Sequence, residues 1–115
     1  MEELSLANLL VDSILDKKGS DILLLDLREQ AIFTDYFLLC NGDSDRQLQA
    51  LAEGITETAK KVGDVLPWGV EGDAESGWVL VDYGDIIIHI FSPEKRAYYN
   101  LEELWSHARI VLRIQ

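Results

Sequence analysis

The fold is decided by residues 78–91, which read Trp78-Val79-Leu80-Val81-Asp82-Tyr83-Gly84-Asp85-Ile86-Ile87-Ile88-His89-Ile90-Phe91. Two apolar runs, 78–83 and 86–91, flank a Gly-Asp pair, which is typical of antiparallel strands joined by a tight turn. Successive side chains of a strand point to opposite faces, so Trp78, Leu80 and Asp82 share one face. Val79, Val81 and Tyr83 share the other. The sequence leaves open which face is exposed.

Four further elements are predicted ahead of this hairpin. Apolar residues at helical spacing predict helices over residues 4–18 and 44–62. Short apolar runs predict strands over 21–27 and 36–40, the first of them buried on both faces. Ser44 and Gln47 have the form of a capping box, in which each side chain satisfies an amide group at the start of a helix. Gly54, inside the second helix, suggests a close approach to the sheet.

The remaining segments complete a mixed architecture. Residues 63–77 are rich in glycine and predict a loop around a short extended piece at 65–70. Ser92-Pro93-Glu94 opens a short helix, and residues 100–103 open another. The predicted fold is one α/β (α+β) domain over residues 1–115, with a mixed sheet of about five strands flanked by helices.

Composition limits the functional classes. A chain of 115 residues that is 48% apolar can bury one core. Its 21 acidic and 10 basic residues give a net charge of −11, which repels free nucleic acid and favours basic partners. The N-terminus is acidic and no apolar run reaches about eighteen residues, so we expect a cytoplasmic protein without a membrane segment.

Candidate catalytic and metal-binding residues are few. Cys40 is the one cysteine, so it forms no intramolecular disulfide and is expected to be a small buried side chain. His89 alternates within an apolar strand and His107 lies in a polar tail, and neither belongs to a catalytic signature. Asp82 and Asp85 are suited either to divalent-metal binding or to capping a turn. We predict no catalytic residue, no metal and no cofactor.

Several motifs occur together in an order and spacing that resemble one protein family. They are Asp26-Leu27-Arg28, Thr34-Asp35-Tyr36-Phe37, Gly42-Asp43-Ser44-Asp45-Arg46-Gln47, Val70-Glu71-Gly72, residues 78–91, and Tyr98-Tyr99-Asn100-Leu101-Glu102-Glu103-Leu104-Trp105. The chain resembles the bacterial ribosomal silencing factors, the Iojap or RsfS family, over about residues 4–106. One departure is Asp43, where the family pattern has a small or hydroxyl residue.

The resemblance implies a repressor of translation. Family members bind the large ribosomal subunit through ribosomal protein number fourteen, a basic protein, and block joining of the small subunit. On this basis we expect a contact surface formed by the hairpin and the following tyrosines, with Trp78 as the apolar anchor. Its predicted residues are Trp78, Leu80, Asp82, Tyr83, Gly84, Asp85 and Tyr98.

Two other functional classes remain open from the sequence. The family's fold resembles that of nucleotidyltransferases, so an enzyme could use Asp82, Asp85 and a metal ion on a nucleotide. The spacing of these two aspartates differs from the motif of those enzymes, which argues against catalysis. A homodimerisation module is the other class, because an edge strand with bulky apolar residues can pair with its own copy. A homodimer is also expected as a resting state of the silencing factor.

Overall fold

A mixed β-sheet organises the protein, and the computed structural model describes residues 2–115; Met1 of the predicted domain lies outside them. The elements are α1 (Glu3–Asp16), β1 (Ser20–Asp26), β2 (Tyr36–Asn41), α2 (Asp45–Lys61), β3 (Gly69–Asp73), β4 (Trp78–Asp82), β5 (Ile86–Phe91), α3 (Pro93–Tyr99), α4 (Leu101–Leu104) and β6 (Arg109–Ile114). Within residues 2–115 six strands pair in the order β3-β4-β5-β2-β1-β6. Only β2 and β5 pair in parallel; the other described pairs are antiparallel. The predicted α+β fold with one mixed sheet is confirmed.

The predicted hairpin is present between β4 and β5. Leu80 pairs with His89, and Asp82 pairs with Ile87. At the turn, the Tyr83 amide donates to the carbonyl of Ile86 over 2.9 Å. Gly84 has φ +83°, a left-handed conformation that glycine adopts without steric penalty. The left-handed backbone conformation therefore accounts for glycine at this position of the turn.

Helices α1 and α2 cover one face of the sheet. Their apolar stripes meet the strands through Leu10 and Ile14 of α1 and through Leu51 and Ile55 of α2, all fully buried. Gly54 allows a close approach, but to α1 and not to the sheet as predicted. A β-carbon at Gly54 would lie 3.2 Å from Ser13 Oγ and 3.3 Å from Lys17 Cγ. The small residue therefore lets the two helices pack together.

The sheet has one strand more than the sequence predicted. Residues 109–114 pair antiparallel with β1, placing Leu112 opposite Leu24. This strand was missed because it is an edge strand with one partner, about 85 residues away in sequence, and because arginines at two of its six positions interrupt the apolar run. The extended piece predicted at 65–70 is also displaced, since the strand occupies Gly69–Asp73.

The capping residues join two helices, in a pattern that differs from the predicted box. Ser44 Oγ accepts from the Gln47 amide over 3.1 Å, as expected. Gln47 Oε1, however, accepts from the Asp43 amide over 2.6 Å, outside the helix. Gln47 Nε2 donates to the carbonyls of Lys17 and Lys18, over 3.2 and 2.8 Å. Gln47 therefore ties the start of α2 to the end of α1.

None of the helices described between residues 2 and 115 has the length and apolar character needed to cross a bilayer.

Replacing Gln47 by alanine should lower the free energy of unfolding by about 1 kcal/mol. The Asp43 amide before α2 and the Lys17 and Lys18 carbonyls after α1 would each lose a hydrogen-bond partner. Urea unfolding followed by circular dichroism measures the change. Gln49→Ala is the matched control, since Gln49 lies on the same helix and its side chain donates to Glu53, one turn along that helix. We expect the control to stay within about 0.5 kcal/mol of wild type. Equal losses in both variants would contradict the role given to Gln47.

Candidate functional site

The face of the sheet opposite α1 and α2 carries the candidate site. Along β4, Val79 and Val81 are buried under the helices, whereas Trp78, Leu80 and Asp82 are partly exposed. The structure thus decides which face of β4 is available to a partner. Short C-terminal elements cover part of this second face, where Leu101 and Trp105 pack on a smaller apolar cluster. The β3–β4 end of the face stays open.

Trp78 is held between aromatic rings and by one hydrogen bond. Its ring stacks on Phe91 with centroids 5.1 Å apart, and Tyr99 lies 4.4 Å away. The indole Nε1 donates to Nδ1 of His89 over 3.2 Å. Because three neighbours fix the ring, this partly exposed aromatic side chain is ordered before any partner arrives.

His89 lies at the centre of this arrangement and is 3% exposed. Phe37 meets the imidazole edge-on, with ring centroids 4.4 Å apart. Burial lowers the pKa of His89 to about 4, so the ring is neutral near pH 7. Nδ1 accepts from Trp78, whereas Nε2 is buried without a hydrogen-bond partner among residues 2–115. His89 is therefore a buried sheet histidine with one of its two ring nitrogens hydrogen-bonded within residues 2–115.

The aromatic rings form a continuous line across the face, which we call the aromatic row. Its members, in spatial order, are Phe33, Trp105, Phe37, His89, Trp78, Tyr99 and Tyr98. The two ends are exposed: Phe33 by 56% and Tyr98 by 77%. Exposed aromatic clusters of this kind are typical of protein interaction surfaces.

A shallow groove of about 290 Å³ lies beside Trp78 and Tyr99 of the aromatic row. It is lined by Glu71, Gly72, Ser76, Trp78, Leu80 and Tyr99. Strand β3, which supplies the first two of these residues, is exposed along its whole length. The groove therefore combines the apolar side chains of Trp78, Leu80 and Tyr99 with one acidic side chain, that of Glu71.

The turn after β4 uses its aspartate for structure. Asp82 Oδ1 accepts from the Gly84 amide over 2.7 Å. Trp68 packs over the same glycine, because a β-carbon there would lie 2.7 Å from the indole ring. Trp68 is 82% exposed and was missed from sequence. The available signal in the sequence was a tryptophan in a glycine-rich loop, directly after Pro67.

Three carboxylates meet beside the same turn, where β5 begins. Oxygens of Glu3, Asp35 and Asp85 lie within 4.8 Å of one another, and we call these residues the acidic cluster. Partial burial, a hydrogen bond with Asp35 and the charges of Asp35 and Asp85 raise the pKa of Glu3 to about 7. Arg28 opposes this shift, but its guanidinium is bonded to Asp26. Within residues 2–115 no salt bridge neutralises the acidic cluster.

The acidic cluster is the one group of three or more potential metal ligands that residues 2–115 bring together, and Asp82 is not part of it. Three carboxylates supply three to six oxygens, depending on whether each binds through one oxygen or two, and Ca²⁺ takes six to eight. The prediction that the protein uses no metal and no cofactor stays a prediction. Cys40 is buried as expected, and burial raises the pKa of its thiol to about 12.

The predicted contact residues separate into groups. Trp78, Leu80 and Asp82 share the open face, and Tyr98 joins them through Tyr99. Asp85 lies in the acidic cluster, and Gly84 is covered by Trp68.

Tyr83 does not join the other predicted contact residues. It packs in the core under the helices, 7% exposed, with its hydroxyl buried and unpaired among the described residues. Burial raises the pKa of Tyr83 to about 12. Its side chain therefore supports β4 from the side opposite the aromatic row.

Comparison with known proteins identifies close relatives. The family model described as "Ribosomal silencing factor during starvation" (RsfS) matches residues 1–115. Ribosomal silencing factor RsfS of Bacillus subtilis is 46% identical over 93 residues, covering 81% of this chain and 78% of that protein. The protein of the same name from Halalkalibacterium halodurans is 37% identical over 111 residues, which cover 96% of this chain and 94% of that protein. The chloroplastic protein Iojap of Zea mays is 32% identical over 93% of this chain and 46% of its own length.

The fold is also found in solved structures. An X-ray structure of a Chromobacterium violaceum protein superposes with a TM-score of 0.87 at 37% identity, covering 92% of this chain and 88% of that one. A Bacillus halodurans crystal structure gives a TM-score of 0.79, again at 37% identity, covering 90% and 95%. Sequence and structure thus point to the same set of relatives.

The acidic cluster predicts a pH dependence of stability. The Glu3 carboxyl loses its proton near pH 4.5 in the unfolded chain but near pH 7 in the folded one. The folded state therefore binds more protons in this window, and the contribution of Glu3 to stability falls as pH rises from about 4.5 to 7. Glu3→Gln removes this loss, so its Tm should exceed that of wild type at pH 8.

Thermal unfolding followed by circular dichroism between pH 4.5 and 8 measures the difference between the two proteins. Glu2→Gln is the matched control, because Glu2 is the exposed neighbour of Glu3 in the chain. The control should keep the wild-type slope. A Glu3→Gln variant with an unchanged slope would show that the acidic cluster does not hold a proton in this range.

Proposed function

This chain belongs to the ribosomal silencing factor (RsfS) family, and from that premise we propose that it represses translation by binding the large ribosomal subunit. The proposed partner is ribosomal protein number fourteen, and the bound protein blocks joining of the small subunit sterically. The family assignment rests on matches that cover nearly the whole chain. The relatives from Bacillus subtilis and Halalkalibacterium halodurans are named as silencing factors, which are regulatory proteins. We therefore propose a binding function without catalysis.

The observation that carries the proposed contact is the ordered, partly exposed Trp78 at the open end of the aromatic row. Tryptophan and tyrosine are enriched among the residues that dominate interface energies, mostly near the centre of a contact. Trp78, Tyr99 and Tyr98 form such a group, and Leu80 extends it along the face. The contact surface that we propose thus centres on Trp78 and the groove beside it.

Acidic residues surround this surface and favour a basic partner. Glu71 and Asp73 of β3 lie opposite Leu80 and Trp78 in register, so their side chains point to the same face. Together with a net charge of −11, they attract a basic ribosomal protein and repel exposed ribosomal RNA. Charge would guide the encounter, while the aromatic side chains would supply most of the affinity.

The enzyme alternative finds little support in the geometry. Asp82 uses a carboxylate oxygen to cap the Gly84 amide, and the Asp85 carboxylate lies with Glu3 and Asp35. The two aspartates are thus engaged in different structures. A nucleotidyltransferase reaction would need carboxylates that converge on one metal ion.

A homodimer of the free protein is favoured by one observation. All five residues of β3 are exposed at the edge of the sheet, and an uncovered edge can pair with a strand of another chain. Such pairing would cover part of the proposed contact surface. We propose the dimer as a resting state, and the complex with the ribosome as the working one. That complex would form where ribosomes assemble, which in bacteria is the cytoplasm.

Sedimentation of purified ribosomal subunits tests the proposed function. The protein should comigrate with the large subunit in a sucrose gradient, and adding it before the subunits are mixed should reduce the whole-ribosome peak. The measurement compares that peak with and without the protein at equal subunit concentrations. If the protein stays at the top of the gradient and joining proceeds, the proposed function is wrong.

Replacing Trp78 by alanine should weaken binding to the large subunit by about thirtyfold, which corresponds to the roughly 2 kcal/mol of an interface hot spot. Binding is measured by titration with labelled protein. Leu15→Ala is the control, since Leu15 is a 44% exposed apolar side chain on α1, away from this face. Circular dichroism confirms that both variants are folded. Equal affinity of the folded Trp78→Ala variant and wild type would reject Trp78 as the anchor.

A further inference from the structure

We infer that His89 is a positioning residue that fixes the indole of Trp78 for an apolar socket on the partner. The inference rests on the proposed function, because it concerns how the proposed contact surface is prepared. The geometry carries it: His89 is buried, its Nδ1 accepts from Trp78 Nε1, and rings hold it on both sides.

The hydrogen bond determines which face of Trp78 a partner meets. The indole has one polar group, its Nε1–H, and that group is directed inward to His89. What remains accessible is the apolar part of the ring, flanked by Tyr99. A partner therefore needs to offer an apolar pocket, and it needs no hydrogen-bond acceptor for the indole.

The same bond fixes the tautomer of His89. Because Nδ1 accepts from Trp78, the ring proton lies on Nε2. That N–H is buried and has no acceptor among residues 2–115. A leucine or isoleucine would fill a buried position of β5 without an unsatisfied donor. Histidine at this position is therefore less favourable for stability than leucine or isoleucine would be. It provides instead an acceptor for the indole N–H of Trp78, which an aliphatic side chain cannot do.

The acceptor is available throughout the neutral pH range. The side chains packed around the imidazole are the uncharged rings of Phe37, Trp78 and Phe91. Burial keeps the pKa of His89 near 4, so Nδ1 stays unprotonated at the pH of a binding experiment. His89 therefore acts as a constant support for the indole and not as a pH switch.

A double-mutant cycle with Trp78→Phe tests this role. Phenylalanine keeps an aromatic ring but has no N–H to donate. His89→Leu should weaken binding to the large subunit about fivefold when Trp78 is present, and less than 1.5-fold in the Trp78→Phe background. His89→Asn should restore binding to within about twofold of wild type, because its Oδ1 can take the place of Nδ1.

The state of the indole is read separately, without any partner. In ¹H–¹⁵N spectra the indole resonance that disappears in Trp78→Phe should shift in His89→Leu and return towards its original position in His89→Asn. Leu39→Val is the matched control, since Leu39 is the buried neighbour of His89 in the register of β2 and β5. It should change neither the indole resonance nor the affinity. The same spectra show whether each variant is folded.

The outcomes separate this inference from the function on which it rests. If wild type binds and His89→Leu weakens binding equally in both backgrounds, His89 acts only through core packing and the positioning role is wrong. An unshifted indole resonance in folded His89→Leu would also overturn it. If wild type does not bind the large subunit at all, the proposed function fails and the positioning role fails with it.

Discussion

The parallel pairing of β2 with β5 is the constraint on which the rest of the structure depends. Leu38 pairs with Ile88 and Leu39 pairs with His89, and β2 is buried along its whole length. Because side chains alternate, this register sends Leu38 and Ile88 to the helix face and Leu39 and His89 to the other. A shift of one residue would exchange the two sets. The position of His89 in the aromatic row thus follows from the pairing of the two central strands.

The parallel pairing also accounts for the unequal cover on the two faces. Parallel neighbours need a long connection, and the segment between β2 and β5 contains α2, β3 and β4. Together with α1, α2 closes one face. The other face receives only short elements, such as the four-residue α4. These are too small to cover all six strands, so the aromatic residues on β4 and α3 remain accessible.

Local sequence patterns were sufficient for the hairpin, both long helices, and the Ser44 and Ser92 caps. The features that they could not predict depend on contacts between distant segments. Glu3, Asp35 and Asp85 lie tens of residues apart, and the packing of α1 against the sheet brings them together. Which face of β4 is exposed depends on where the helices pack against the sheet, and the sequence of the strand does not contain that information. Tyr83 was assigned to the contact surface because sequence cannot tell an interface tyrosine from one that fills the core.

The imidazole of His89 and the acidic cluster are two of the features that oppose the stability of the protein. The buried Nε2–H of His89 has no acceptor among the described residues, and the acidic cluster places three carboxylates within 4.8 Å. Burial and like charge are unfavourable in the isolated chain, so neither arrangement is explained by folding alone. The first is explained if the imidazole exists to hold Trp78. The acidic cluster would be stabilised by a basic partner, because the partner's cations would reduce the repulsion among the carboxylates.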